Sequence, residues 1–205
     1  MTSIICLTGV VGSGKSTIAN RFSPSTLVIS ADEVQFDAVK RAFPFVRDSK
    51  ELIWGVWSFD PWLLHLNELF NLSLISKYPK LREHQGNIIL EGCIVCNDWF
   101  RVPLLEEIMK TCQLDSSVAV HHLDLIPEAE LLQEQILRRG NQGDLGPFAE
   151  MDFVVQHIEW AEQRTDDDDE KWVRFQDPAE LETAIQAILN STESTHPAND
   201  GSDSS

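Results

Sequence analysis

The 205-residue chain has few basic side chains for its size. Its 16 lysines and arginines stand against 33 aspartates and glutamates, which leaves a formal net charge of −17 at pH 7. Proteins that follow a nucleic-acid backbone or coat an anionic membrane need a basic surface. The deficit therefore argues against extended nucleic-acid or membrane partners. It still allows one small anion site, because oriented backbone N–H groups act locally.

Cysteines and long apolar runs are also scarce. Four cysteines are too few for a disulfide scaffold of this length, so we expect reduced thiols. No apolar run approaches the roughly 20 residues that cross a bilayer. The first residues, MTSIICLTG, lack the basic and apolar regions of a secretory signal. These absences predict a cytoplasmic protein.

Short apolar segments alternate with longer stretches of helical periodicity. This alternation is typical of a parallel sheet whose strands are joined by crossover helices. The predicted strands are residues 3–8, 26–30, 87–91, 117–124 and 172–175, and the predicted helices are residues 15–22, 32–42, 61–83, 98–112, 127–139, 150–164 and 178–190. Chain length and a hydrophobic content of 42% predict a single domain over residues 1–190. Residues 191–205 contain almost nothing apolar and are predicted to form a disordered acidic tail.

One motif near the start of the chain carries specific chemistry. Residues 9–16, GVVGSGKS, match the phosphate-binding loop pattern G-x-x-x-x-G-K-[ST], with an apolar strand before it and a helical pattern after it. The glycines let successive N–H groups face phosphate oxygens, Lys15 supplies a positive charge, and the Ser16 hydroxyl is the expected ligand for Mg²⁺. The predicted nucleotide-binding residues are Gly9, Gly12, Ser13, Gly14, Lys15, Ser16 and Thr17.

Other classes of P-loop protein lack support in the sequence. The D-x-x-G and N/T-K-x-D signatures of GTPases are absent, and so is an LSGGQ-like signature of transporter ATPases. Motor and helicase cores need a longer chain. The compact kinases remain.

The loop GVVGSGKST, a second strand that leads into Asp32 (LVISAD) and a third that ends in an acid (IILEG) resemble the P-loop small-molecule kinases. That group includes nucleoside monophosphate, shikimate and gluconate kinases, chloramphenicol phosphotransferase, zeta toxins and the kinase domain of polynucleotide kinase. The resemblance implies a three-layer α/β/α fold with a five-stranded parallel sheet in the order 2-3-1-4-5. It also implies ATP as phosphoryl donor, a helical acceptor-side insert over residues 33–84 and a lid over residues 138–165.

Two carboxylates are candidates for the chemistry. Asp32 follows the second strand, where the resemblance implies an acid that orients or deprotonates the acceptor hydroxyl; a helix N-cap is the structural alternative. Glu91 ends the third strand, where a carboxylate would hold Mg²⁺ or contact substrate. Its alternative is an ordinary strand-end acid paired with a local base. Asp124, at the end of the fourth predicted strand, is a weaker candidate for the same metal role.

Phosphoryl transfer also needs cations over the developing charge. Arg138 and Arg139 end a predicted helix just before the glycine-rich segment GNQGDLGP, so the resemblance places them in the lid as catalytic candidates. Arg101 and Arg164 are further candidates. Arg138, Arg139 and Arg164 also suit purely structural positions, since they lie at the ends of predicted helices and a helix C-terminus favours cations.

Two other patterns have simpler interpretations. Cys93 and Cys96 have C-x-x-C spacing, but no second pair or nearby histidine completes a zinc site, so ordinary thiols are expected. The aromatic residues of the insert either pack it onto the body or line an acceptor pocket. They are Trp54, Trp57, Phe59 and Trp62.

We therefore interpret the sequence as that of an ATP- and Mg²⁺-dependent kinase. It would transfer the γ-phosphoryl group of ATP to a hydroxyl or phosphate of a small molecule. Two alternatives stay open at this point. One is a nucleotide-binding regulatory or assembly ATPase that acts on a protein partner, and the other is a nucleic-acid end kinase, which would need a basic channel.

Overall fold

The computed structural model describes residues 2–44, 67–141 and 172–193, without the side chains of residues 67, 139–141 and 193. Five strands alternate with helices in these ranges. The strands are β1 (Ser3–Gly9), β2 (Leu27–Ser30), β3 (Ile88–Glu91), β4 (Ala119–Leu125) and β5 (Trp172–Phe175). The α-helices are α1 (Lys15–Arg21), α2 (Ala31–Ala42), α3 (Asn67–Lys77), α4 (Asp98–Thr111), α5 (Ala129–Asn141) and α6 (Pro178–Glu193).

The strands form one sheet in the order β2-β3-β1-β4-β5, and every pairing is parallel. This confirms the predicted fold class and strand order. The register places Ser30 beside Glu91, and Glu91 beside Leu7. The carboxyl ends of β1, β2 and β3 therefore meet at one edge, where α/β proteins bind their ligands.

Helices cover both faces of the sheet because successive side chains of a buried strand point to opposite sides. On β1, Ile4 and Cys6 belong to a cluster with residues of α2, α3 and α4. Ile5 and Leu7 belong to another cluster with residues of α1 and α6. All four side chains are fully buried. The strand that leads into the P-loop is thus held rigidly from both sides.

The helix predicted over residues 61–83 differs from the structure. Residues 61–66 lie outside the described ranges, α3 ends at Lys77, and a separate 3₁₀-helix spans Pro79–Glu83. Proline lacks the N–H that would continue the α-helix and disfavours the α conformation at the residue before it. Tyr78 accordingly has a φ of −120° and a ψ of 64°, outside the helical region.

Several further predictions fall partly or wholly outside the described residues. These are the helix over 150–164, most of the lid over 138–165, the centre of the insert over 33–84 and residues 194–205 of the tail. Helix α6 continues through Glu193, so residues 191–193 of that tail are helical. Within the described ranges, no helix is long and apolar enough to cross a membrane. All four cysteines are free thiols.

Candidate active site

The P-loop connects the end of β1 to the start of α1 and lies beneath α5. Gly12 has a φ of +84°, which favours glycine, and a Cβ there would lie 2.7 Å from Cγ1 of Ile136 in α5. Val10 packs with Leu132 and Ile136 of the same helix. The absence of a side chain at position 12 therefore lets the loop turn and lets α5 approach it closely.

Ser13 lies at the tip of this loop with a fully buried side chain. Its Oγ has no hydrogen-bond partner among the described residues. A buried hydroxyl of this kind costs free energy unless it binds something. Together with the loop amides it fits a polar ligand such as a polyphosphate.

Lys15, the first residue of α1, is buried at 5% exposure. Its Nζ donates a hydrogen bond to Sγ of Cys93 at 3.0 Å and to the Val10 carbonyl oxygen at 3.5 Å. Burial lowers the pKa of the ammonium group. Cys93 and the carboxylates of Asp32 and Glu91 raise that pKa by more, so that it lies above its ordinary value. Lys15 is therefore a permanent positive charge in a water-poor site.

Glu91 ends β3 next to the P-loop, and its Oε2 accepts a hydrogen bond from the Ser16 hydroxyl at 2.8 Å. Burial raises the pKa of this carboxyl group, with Lys15 opposing the shift and Asp32 adding to it. A hydroxyl and a carboxylate are hard oxygen ligands of the kind Mg²⁺ prefers. The described residues contain no cluster of three metal-ligating side chains. Mg²⁺ needs none when phosphates and water complete its shell, so Ser16 and Glu91 fit this ion.

Asp32 lies in the first turn of α2, but it does not cap the helix. The N-cap is Ser30, whose Oγ accepts a hydrogen bond from the Glu33 N–H at 3.4 Å. The carboxylate of Asp32 reaches across to the turn after β3 instead. It accepts hydrogen bonds from the backbone N–H of Cys93 at 3.3 Å and of Ile94 at 3.5 Å. The structure thus excludes the N-cap alternative and fixes Asp32 beside the loop that contacts Lys15.

Gly92 makes this close approach possible, and its replacement should disturb Asp32. At a φ of +153°, a Cβ on Gly92 would lie 2.7 Å from Oδ1 of Asp32. We expect Gly92→Ala to lower the free energy of unfolding by about 1–3 kcal/mol, or about 2–4 °C in Tm for each kcal/mol. Thermal unfolding followed by circular dichroism measures this.

The control for that variant is Gly86→Ala. Among the described residues, a Cβ on the exposed Gly86 would meet the side-chain ring of His84 at 3.3 Å and, apart from its chain neighbours, no backbone atom within 4 Å. It should therefore change Tm by no more than about 2 °C, as surface substitutions usually do. Equal Tm values for the two variants would mean that the contact between position 92 and Asp32 is not restrictive.

The described arginines do not gather at the phosphate site. Arg138 is exposed near the end of α5, the side chain of Arg139 is not described, and Arg164 lies outside the described residues. Arg101 is buried, donates to the carbonyl oxygens of Val95 at 3.1 Å and Cys96 at 3.4 Å, and pairs with Asp98. It therefore stabilises the turn after β3 and does not face a ligand. The predicted lid role of Arg138 and Arg139 stays a prediction.

Asp124 is buried on β4, with Arg174 at 4.0 Å from its Oδ2. It pairs in register with Thr8 of β1, on the opposite side of β1 from Glu91. The contact with Ser16 belongs to Glu91. Of Asp124 and Glu91, Glu91 is therefore the acid whose carboxylate contacts a P-loop residue.

Sequence reasoning missed three side chains that complete the site. Cys93 contacts Lys15 through its sulfur and Asp32 through its N–H. Ser30 caps α2, and its own N–H donates to the hydroxyl of Tyr78 at 2.8 Å. The two residues of each of these contacts lie 48–78 positions apart in the sequence, so no local sequence pattern predicts the contacts. The Ser-x-x-Glu spacing of Ser30 and Glu33 was the one available signal for the cap.

A parallel sheet in this order, with a P-loop after β1 and helices on both faces, is the fold of the P-loop kinases. No protein-family model matches the chain, and no curated protein matches it.

Three solved structures are similar over most of the chain. The tunicamycin resistance protein of Deinococcus radiodurans is 17% identical over 92% of this chain and 96% of its own, with a TM-score of 0.53. A Chloroflexus aurantiacus protein provisionally named a kinase is 14% identical over 96% and 99%, with a TM-score of 0.53. A Thermus thermophilus protein is 21% identical over 93% and 97%, with a TM-score of 0.52. These similarities support the fold.

Proposed function

We propose that this chain is an ATP- and Mg²⁺-dependent kinase that transfers the γ-phosphoryl group of ATP to a hydroxyl or phosphate of a small molecule. One observation carries the proposal. The donor-side residues Lys15, Ser16 and Glu91 lie at the same sheet edge as a separate carboxylate, Asp32, and Cys93 contacts both Lys15 and Asp32. That second carboxylate supplies a group that can orient an attacking oxygen separately from the residues that bind the nucleotide.

On the donor side, the P-loop amides and Lys15 would bind the β- and γ-phosphates. The buried ammonium of Lys15 stabilises the charge that develops on the transferring group, and its effect is large because little water screens it. Ser16 and Glu91 would hold Mg²⁺, which neutralises charge on the phosphate oxygens when it is bound. Arg138 and Arg139 would approach the same phosphates when the lid closes.

On the acceptor side, Asp32 is the group that would orient the attacking oxygen. Two backbone N–H groups hold its carboxylate, and the side chain remains half-exposed. A carboxylate has about four lone-pair sites, so further sites remain for an acceptor. The insert, which contains the aromatic residues 54, 57, 59 and 62, would enclose the rest of the acceptor. That part of the chain lies outside the described residues.

Transfer from labelled ATP to a panel of sugars, nucleosides, nucleotides and antibiotics tests the proposal. We expect Asp32→Ala to lower transfer roughly 100-fold, as loss of a group that orients or accepts a proton does, and to leave ATP binding within about threefold. Glu33→Ala is the matched control. It removes the same charge one residue further along α2, where, among the described residues, the side chain pairs with Lys77 at 3.3 Å.

The same assay separates the kinase from a regulatory ATPase. If no compound in the panel accepts the label while ATP hydrolysis and binding of a protein partner survive in Asp32→Ala, the kinase proposal is wrong. A nucleic-acid end kinase would instead label oligonucleotide ends and bind them in a salt-dependent manner. We expect neither behaviour.

A further inference from the structure

Ser30 lies beside Glu91, the carboxylate that would hold Mg²⁺. Ser30 ends β2, Glu91 ends β3, and the two residues are partners in the parallel register. Resting on the Mg²⁺ site of the proposed function, we infer that Ser30 is a positioning residue, which holds the Glu91 carboxylate in place for Mg²⁺ and is itself held by Tyr78. Three contacts of the described residues carry this inference.

The first contact joins Ser30 to Glu91. Register partners on adjacent strands lie about 4.8 Å apart and point their side chains to the same face of the sheet. Burial raises the pKa of the Glu91 carboxyl group, and the Ser30 hydroxyl, which hydrogen-bonds to it, is one of the groups that oppose this shift. The same carboxylate accepts a hydrogen bond from Ser16 at 2.8 Å. Glu91 therefore lies between a hydroxyl of the P-loop and a hydroxyl of β2.

The second contact orients the Ser30 hydroxyl. Its Oγ accepts a hydrogen bond from the Glu33 N–H at 3.4 Å, as the N-cap of α2. A hydroxyl has one proton and two acceptor lone pairs, so a cap uses a lone pair and leaves the proton for another acceptor. The carboxylate of Glu91 is a neighbour that can accept this proton. Capping of α2 and the contact with Glu91 are therefore compatible, and together they favour one orientation of the side chain.

The third contact fixes the backbone of Ser30. Among the described residues β2 pairs with β3 alone, so β2 lies at an edge of the sheet, where N–H groups that point outward lack a strand partner. The Ser30 N–H donates instead to the Tyr78 hydroxyl at 2.8 Å. Tyr78 is half-buried and packs against the core cluster that includes residues of α2, α3 and α4. The end of β2 is thereby tied to the body of the protein.

These contacts matter for Mg²⁺ because they limit how Glu91 can rotate. A mobile carboxylate must be ordered when it binds an ion, and that ordering costs affinity. Loss of a group that hydrogen-bonds a metal-binding carboxylate typically lowers metal affinity about 10–100-fold. Ser30 therefore acts on Mg²⁺ through Glu91, without contact with the ion or the nucleotide.

Calorimetric titration with ADP, once in excess Mg²⁺ and once in a chelator, tests the inference by a readout that needs no acceptor. Ser30→Gly removes the hydroxyl but keeps a residue that caps helices nearly as well as serine, so Tm should change by less than about 2 °C. We expect the Kd of MgADP to rise about tenfold. The Kd of ADP in the chelator should change less than about threefold, because Ser30 does not act on the phosphates.

Three further variants sharpen the test. Ser30→Thr keeps both the hydroxyl and the cap, so it should hold the Kd of MgADP within about twofold of the wild-type value. Tyr78→Phe removes the acceptor of the Ser30 N–H and should raise that Kd about three- to fivefold. Ser23→Gly is the matched control. It removes a hydroxyl that donates to the Asn20 carbonyl oxygen at 2.9 Å, at the opposite end of α1 from the P-loop, and should have no effect.

The outcomes separate a positioning role from a structural one. If Ser30→Gly weakens ADP in the chelator as much as MgADP, or if Ser30→Thr fails to restore the affinity, Ser30 only maintains the fold and the inference is wrong. An unchanged Kd of MgADP in Ser30→Gly would overturn it as well. So would a wild-type chain that binds ADP equally well with and without Mg²⁺, since Glu91 would then hold no ion.

Failure of the proposed kinase has a different signature. The transfer assay described above would then show no labelled acceptor. If the Ser30 variants nevertheless change the affinity for MgADP as expected, the role of Ser30 stands for a nucleotide-binding protein of another kind, and only the kinase proposal is wrong.

Discussion

Replacement of Lys15 by methionine should lower kcat/KM for ATP about 10³-fold and weaken ATP binding at least about tenfold. The side chain is buried, and its charge acts in a site where water screens little. Methionine keeps most of the apolar stem and removes the ammonium. Steady-state transfer assays and calorimetric titration with MgATP measure the two effects.

The buried position of Lys15 calls for a check of folding. Its removal leaves the carboxylates of Asp32 and Glu91 without their shared cation, which raises the pKa of Glu91 further. Circular dichroism should show that the variant is folded. Lys110→Met is the control, because the Lys110 side chain is exposed and, within the described part of the chain, pairs with Glu107 at 3.5 Å. If the ATP affinity of Lys15→Met stays within about threefold of the wild-type value, the P-loop is not the nucleotide-binding site.

The sheet and the P-loop were predictable because the sequence patterns that indicate them are local or belong to the phosphate-binding motif. Strand β1 is a continuous apolar run, and GVVGSGKS follows it directly, so the strand, the loop and α1 were predicted within one residue of their observed bounds. The order of the five strands came with the resemblance. A sequence of this kind specifies which edge of the sheet binds phosphate before any side chain is placed.

The contacts around Asp32 were not predictable in the same way. The sequence pattern favoured both a catalytic acid and a helix cap at this position. The choice depended on Ser30, which takes the cap, and on Gly92, which lets the turn after β3 lie close to Asp32. Arg101 was a candidate to contact a ligand at the edge of the sheet that carries the P-loop. The structure instead buries it against backbone carbonyl oxygens. Tertiary packing decides such roles, and residue type alone does not.

Replacement of Glu91 by glutamine should lower kcat/KM by about 10²–10³-fold at limiting Mg²⁺. Glutamine keeps the size of the side chain and an oxygen for the Ser16 hydroxyl, but it loses the negative charge that attracts the ion. High Mg²⁺ should therefore restore part of the activity. Glu107→Gln is the control, because that half-buried acid on α4 has polar partners but does not contact the P-loop.

The pH dependence gives Glu91 a second signature. Burial holds its pKa above the ordinary value for glutamate, so the protonated form persists to a higher pH than it would at the surface. Protons and Mg²⁺ compete for the same carboxylate. In the wild type, apparent Mg²⁺ affinity should fall as pH is lowered through this raised pKa, and Glu91→Gln should show no such fall. If titrations of Mg²⁺ at several pH values give the same dependence for both proteins, another group holds the metal and Glu91 only positions Ser16.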